Sequence, residues 1–352
     1  MNFTDPLLQV TDTTVDKYKT AGIIAKKSVD TILKSINKNT LNMTTLVKIG
    51  EEFIERELKN VYKNTEYKGI SFPICLSRNE VAGHYIPKDN DVLYHGDVLK
   101  IEVSVHIDGY TSNLVYTTVI KLNNNEPLNQ RHLEALKACI YASKDVVGVM
   151  KVGKSTRDIS NILNKYAQKY NCQLAISNEK GIIPGVFSYQ ISRNVMNGRD
   201  GDNTEFVHRF VMPRENPAYD FDLMDNILEE DEIYSIDIVM STGSGRLNKT
   251  GDTTIFGRDY ETTVPLKLQS SKQVLGMFKG KYFPQVVDRS DGKVKLGLSD
   301  CVKKGIIQEY PVVSDGQNGI IVRTKFTVIV GEKPLLVCGK VADSEIDKFT
   351  VV

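Results

Sequence analysis

With 352 residues, 41% of them hydrophobic and 25% charged, the chain is long enough to bury a sizeable core as one large or two smaller domains. No apolar run approaches the ~20 residues of a bilayer-spanning helix, and Met1–Val10, with Asp5 and no basic start, does not read as a signal peptide. Five scattered cysteines (Cys75, Cys139, Cys172, Cys301, Cys338) without a C-x-x-C pair read as reduced thiols of a cytosolic or nuclear compartment, and five histidines without tryptophan offer little for a His-rich metal centre.

The net charge of +1 hides a segregated distribution. Lys17 to Lys68 holds eleven Lys/Arg against six Asp/Glu, and Arg258 to Tyr310 holds ten against six. Between them, Asp200 to Glu232 holds eleven acids against Arg209 and Arg214. Such segments are either solvated faces or a binding footprint.

In chain order, Val15–Ile36 and Leu46–Val61 carry apolar residues at helical spacing, predicting two N-terminal helices. Gly69 onward reads as a strand. Val98–His106 alternates through Leu99, Ile101, Val103 and Val105, and returns over Thr111–Leu122 after a hairpin turn whose positive φ Asp108-Gly109 supplies. Gln130–Met150 and Thr156–Tyr170 are again helical, the second capped by Ser155 or Thr156 with Asp158 in its first turn. Glu232–Ser241 and Ile320–Val330 are strong strands, with a turn at Gly243-Ser-Gly, while Pro213–Asp231 is loop-like and acidic. The order helix–helix–strand–hairpin occurs twice, which predicts a pseudo-duplicated α+β domain. Tyr260–Tyr310 fits neither half and reads as an insert, helical over Ser270–Phe278.

Seven segments carry a family resemblance: Lys17–Gly22, Gly69–Pro73, Asn79–Pro87, Gly96–Ile101, Val105–Tyr110, Asp231–Gly245 and Lys325–Val330. Over about Lys17 to Pro334 the chain resembles type 2 methionine aminopeptidases. It is still more similar to their noncatalytic relatives, the proliferation-associated ErbB-binding proteins and ribosome export factors. The resemblance implies an α+β, pseudo-symmetric pita-bread fold: a curved antiparallel sheet backed by helices, with an inserted helical subdomain. The expected boundaries are an N-terminal arm (1–14), the pita-bread domain (15–259 and 311–352) and the insert (260–310).

The active family holds two divalent metals on two aspartates, a histidine and two glutamates, which activate a bridging water. Matched position by position, these become Glu102, Asn113, Ser188, Asp237 and Lys325. Ser188 rests on a register ten residues before Gly198, but no histidine occurs between His132 and His208 in any register. Formal ligand charge falls from −4 to −1. A like-charge contact at ~4 Å and an effective dielectric of ~20 costs on the order of 4 kcal/mol per unit charge, so the pattern predicts a pseudoenzyme without cofactor. Glu102, Asp237 and Lys325 are expected to form a salt-bridge cluster. His84 matches a histidine of the enzymes' substrate cleft and is expected to be kept for packing beside Tyr85.

Gly243-Ser-Gly and Gly292-Lys lack phosphate-loop spacing, and no Cys–His pair sits in a nucleophile context. The partner implied by the resemblance is the large ribosomal subunit near the peptide exit tunnel, contacted by a monomer in the cytoplasm and also in the nucleus or nucleolus. Candidate contacts are Lys279, Lys281, Lys303 and Lys304 on the insert, and Lys26, Lys27 and Lys34 on the first helix. The alternatives are a peptide-binding module using the old cleft around His84, and a residual one-metal aminopeptidase.

Overall fold

The computed structural model describes residues 10–177, 186–196, 210–211, 226–316 and 319–339. Most of the acidic segment, Gly198 and the end of the expected domain beyond residue 339 lie outside them.

The first half opens on α1 (Asp12–Ser35), capped by the Thr11 hydroxyl, and α2 (Met43–Asn60), capped by Asn42. Helix α1 therefore takes in the last three residues of the expected arm. There follow β1 (Lys68–Arg78), the short β2 (Val81–Gly83), and the hairpin β3 (Val98–Ile107) and β4 (Tyr110–Val119). Asp108 and Gly109 both adopt positive φ, +54° and +83°, as a two-residue reversal requires. Lys17 and Arg193 pin this turn through Asp108, at 2.8 and 2.6 Å.

The second half repeats the order with α3 (Gln130–Val149) and α4 (Thr156–Lys169), the latter entered through a capping box between Ser155 and Asp158. Short strands β5 (Gln173–Leu174), β6 (Ile176–Ser177), β7 (Ser188–Gln190) and β8 (Phe210–Val211) precede β9 (Ile233–Ser241) and β10 (Arg246–Lys249). The insert spans β11 (Ile255–Arg258), α5 (Gln269–Met277), β12 (Gln285–Val286), α6 (Gly292–Lys303) and β13 (Ile307–Tyr310). The chain closes with β14 (Val313–Asp315), β15 (Ile321–Ile329) and β16 (Leu335–Cys338).

The central sheet runs β1-β3-β4-β15-β9-β7-β8, with β16 added on β15 and β5 on β9. Four helices back one face, the pseudo-symmetric pita-bread arrangement expected. Alternation sorts the side chains. Ile101, Val103 and Val105 pack under α1 and α2, and Ile236, Ile238, Val322 and Val328 pack under α3 and α4. The intervening residues, Glu102, Asp237, Arg323 and Lys325 among them, point to the other face. Helix α1 crosses β16 so closely that a Cβ on Gly22 would overlap the Val337 carbonyl, which accounts for the glycine ending the first motif.

The halves meet between β4 and β15, where two threonine hydroxyls replace ladder bonds. Thr117 Oγ1 accepts from the Arg323 N–H at 3.0 Å and donates to the Arg323 carbonyl. Thr327 Oγ1 accepts from the Asn113 N–H at 2.8 Å and donates to its carbonyl at 3.3 Å.

Two expectations need correction. Strand β10 does not complete a second hairpin in the main sheet: past the Gly243–Gly245 turn it enters a separate four-stranded sheet, β2-β14-β10-β6. The insert is not purely helical. Its three-stranded sheet β12-β11-β13 begins at Ile255, five residues before the expected boundary.

Helices α5 and α6 of the insert are antiparallel. Ser271, near the start of α5, donates to Asp300, near the end of α6, at 2.6 Å. The insert docks on the end of β3 and the residue leading into β1 through aromatic rings: Phe283 lies 4.4 Å from His106 and 6.4 Å from Tyr67, and Tyr282 lies 5.9 Å from Tyr67.

Candidate functional site

Three of the five expected positions meet on the face opposite the helices. Lys325 Nζ lies 3.2 Å from Glu102 Oε1 and 3.1 Å from Asp237 Oδ2. The expected trio is nevertheless incomplete, because its centre is a fourth residue. Arg323, two positions before Lys325 and on the same face of β15, inserts its guanidinium between the two carboxylates. Nη1 and Nη2 donate to Glu102 at 2.9 and 3.0 Å, Nε and Nη2 donate to Asp237 at 2.9 and 2.7 Å, and Nη1 also donates to the Ala82 carbonyl at 3.2 Å. A guanidinium has five N–H bonds, and these contacts use all five.

Sequence matching passed over Arg323 because it followed the family's ligand positions. The signal was present: an arginine inside a strand whose ends are apolar, Ile321-Val322 and Val328-Ile329, has to find a buried partner.

Two carboxylates against two cations leave the quartet neutral. The side chains of Arg323 and Asp237 are 1% and 0% exposed. Burial alone would raise the Glu102 pKa, but Arg323, Lys325 and His84 hold it at about 2. Burial opposes the Arg323 charge, and Asp237 and Glu102 overcome that and push its pKa further up. The cluster is therefore ionised on both sides, with each charge matched at hydrogen-bond distance, the condition under which a buried ion pair persists.

The other two positions flank the quartet without joining it. Asn113 belongs to a neutral chain, donating from Nδ2 to Ser235 at 3.1 Å and accepting from Thr111 at 3.3 Å. Ser188 accepts from the Asp237 N–H at 2.8 Å and so fixes the strand that carries the carboxylate.

His84 is fully buried at φ +63°. It packs against Phe72 and Tyr310, at 5.2 and 5.9 Å, rather than beside Tyr85, whose hydroxyl turns away to Asp91 at 2.7 Å. Its Nδ1 lies 3.8 Å from Glu102. Phe72, His84 and Tyr310 are all buried, with His84 directly beside Glu102 of the quartet. Lys100, two residues before Glu102, is also buried. Its Nζ donates to the Asn79 carbonyl at 2.6 Å, and burial drives its pKa well below the usual lysine range.

A pair of dications does not fit these residues. Only two carboxylates remain, and tethered cations already engage both. Among the described residues, no group of three or more His, Cys, Asp or Glu side chains is placed to hold a metal ion.

The candidate partner lysines are exposed, apart from the half-buried Lys304, but they do not form one patch. Lys279 and Lys281 follow the end of α5, whereas Lys303 and Lys304 end α6, and antiparallel packing puts the pairs at opposite ends of the helical layer. At ~1.5 Å per residue the pairs stand on the order of 15 Å apart. Lys304 is also paired with Asp300 at 2.7 Å. Lys26, Lys27 and Lys34 lie on the outer face of α1.

The description "Metallopeptidase family M24" matches residues 16–210, more than half of the chain. The chain belongs to this family.

Within M24 it is 30% identical over 327 residues to ERBB-3 binding protein 1 of Arabidopsis thaliana, a match covering 90% of this chain and 77% of the relative. It is 25% identical to a methionine aminopeptidase of Pyrococcus abyssi, covering 92% and 98%. Among solved structures, a thermophilic Arx1 superposes with a TM-score of 0.76 at 20% identity, over 97% of this chain and 98% of that one. The M24 fold and the kinship with ErbB-3-binding and Arx1-type members are thus established. No helix among the described residues is long and apolar enough to cross a membrane.

Proposed function

We propose that this M24 protein is a noncatalytic, metal-free scaffold that binds the large ribosomal subunit near the peptide exit tunnel and acts in ribosome biogenesis or translational control. The observation that carries the noncatalytic part is the Arg323 guanidinium, four of whose five N–H bonds are spent on Glu102 and Asp237, where the active family's carboxylates hold metal. A cation fixed to the backbone cannot exchange for a dication without unpairing two buried carboxylates. The burial of His84 against Phe72 and Tyr310 speaks against the peptide-binding reading.

The ribosome part rests on the resemblance to ErbB-binding and ribosome export proteins, with the exposed lysines of α1 and the insert as its phosphate contacts. A relative from Schizosaccharomyces pombe, 27% identical over 94% of this chain, is named a curved DNA-binding protein, which fits a surface suited to phosphate. The reading places the protein in the cytoplasm, with passage through the nucleus.

Sedimentation of the purified chain with ribosomal subunits on sucrose gradients tests the partner: co-migration with the large subunit, lost steeply with salt, is expected. Elemental analysis and a Met-Ala-Ser cleavage assay test the chemistry. Two tightly held metal equivalents with turnover above a blank would overturn it.

A further inference from the structure

Where the end of α5 meets β12, the insert carries cations that the fold leaves without a counter-charge. Arg258, the last residue of β11, lays its guanidinium on the Tyr260 ring, with Cζ 4.3 Å from the centroid. Its Nε is shut off from water without a hydrogen-bond acceptor, and no carboxylate among the described residues pairs with it. Lys279 and Lys281 are both exposed. Lys281 Nζ reaches the neutral Gln285 at 2.6 Å, and Lys279 makes no ion pair among the described residues. The neighbouring carboxylate of Asp259 is turned into its own loop, accepting from the Glu261 N–H at 2.9 Å and the Thr262 hydroxyl at 2.8 Å.

Tyr260 holds these cations in one place. Its hydroxyl donates to the Phe278 carbonyl at 2.5 Å and accepts from the Lys281 N–H at 3.0 Å, closing the turn in which Gly280 adopts φ +71°. Tyr282 packs on Tyr260 at 4.9 Å yet stays 45% exposed. Met277, 38% exposed, joins the same surface through Gln285, whose Nε2 donates to the Met277 carbonyl at 3.1 Å.

We propose that this surface docks an acidic segment of a partner protein, its carboxylates on Arg258, Lys279 and Lys281 and an apolar side chain between them against Met277 and Tyr282. Charge complementarity selects the partner: a carboxylate on the guanidinium forms charge-assisted hydrogen bonds, and supplies the counter-ion that the fold does not. The ring under Arg258 keeps the planar fork in place for that contact. A flexible thioether beside a rigid aromatic ring is the pairing that protein interfaces favour. A phosphate backbone would use the same cations but would gain nothing from Met277. The inference goes beyond the ribosome reading: Arg258 takes no part in that reading and the assay contains no ribosome, so the two can fail separately.

The test is fluorescence anisotropy of the full chain with a fluorescein-labelled peptide repeating Glu-Phe-Asp, over a KCl series. Binding is expected, and it should weaken as salt rises. Arg258→Gln, and separately Lys279→Gln/Lys281→Gln, should each raise Kd severalfold, whereas Lys26→Gln/Lys27→Gln on α1 should leave it unchanged. A peptide repeating Glu-Ser-Asp should bind the wild-type chain more weakly, and Met277→Ser should narrow that difference. Circular dichroism checks each variant, and should Arg258→Gln misfold, the two exposed lysines carry the charge test. Absence of wild-type binding overturns the proposal, as does an equal loss in the α1 variant or an unchanged peptide preference in Met277→Ser. Displacement of the labelled peptide by oligo(U) more readily than by unlabelled peptide would assign the patch to nucleic acid and overturn the proposal as well.

Discussion

Arg323 on β15 reaches across β4 to clasp both oxygens of Glu102 on β3, at 2.9 and 3.0 Å. The span is close to two strand spacings, about 10 Å. A guanidinium on a three-carbon stem covers it, and the planar fork then matches the carboxylate. Asp237, on the strand adjoining β15, takes the guanidinium's remaining edge.

Arg323 rather than Lys325 is therefore the main support of the cluster. Arg323→Met should lower the unfolding free energy by about 3–5 kcal/mol, the range for opening a buried pair from one side. Lys325→Met should cost less, because the guanidinium still holds both carboxylates. In urea titrations, Glu102→Gln combined with Arg323→Met should cost less than the sum of the singles. Simple additivity would show that the two residues do not interact.

Acid should act on this fold in two separate windows. Burial, only partly offset by Asp108, lowers the His106 pKa from 6.5 to about 4, so the unfolded chain binds that proton first and stability falls as pH drops from 6.5 to 4. Glu102, at about 2 in the fold against 4.5 unfolded, contributes stability that is intact above pH 4.5 and is lost as pH falls toward 2. His106→Gln should flatten the first window of a stability-versus-pH curve and leave the second. Glu102→Gln should lower overall stability and remove the second component.

The insert controls the first of these windows. Phe283 covers His106 at 4.4 Å, so Phe283→Ala should readmit water and move the His106 titration back toward 6.5. The imidazole C–H resonances report this by NMR. An unmoved titration would place the burial of His106 within the hairpin alone.

No single reversion should restore a metal site. Lys325→Glu adds a carboxylate but leaves Arg323 between Glu102 and Asp237, and Asn113 stays uncharged within its hydroxyl chain. Calorimetric titration with manganese or cobalt should show no stoichiometric binding to Lys325→Glu. Tight uptake by that variant would mean that the guanidinium yields its place readily.

If the insert contacts ribosomal RNA, its two ends should contribute unequally. Lys279→Glu/Lys281→Glu alters exposed cations beside Tyr282, which is itself 45% exposed. Lys303→Glu/Lys304→Glu alters a pair of which one member is already neutralised by Asp300. Gradient sedimentation should show the larger loss for the first pair. Equal losses would indicate a footprint spanning the whole helical layer.

The sequence by itself determined the helices, the main strands, the Asp108-Gly109 reversal and the family, because each is written in local periodicity, turn chemistry or ordered motifs. Matching to the family's ligand positions also located Glu102, Asp237 and Lys325. Only the tertiary structure decided what those residues do. Arg323 lies 221 positions from Glu102 and 86 from Asp237, and nothing local records that their side chains meet. The same holds for β10, which leaves the main sheet for long-range pairing with β14. It holds too for the insert lysines, which the chain direction makes into one basic run and which antiparallel packing of α5 on α6 separates. Burial and long-range pairing set these outcomes, and both depend on which surfaces the folded chain brings together.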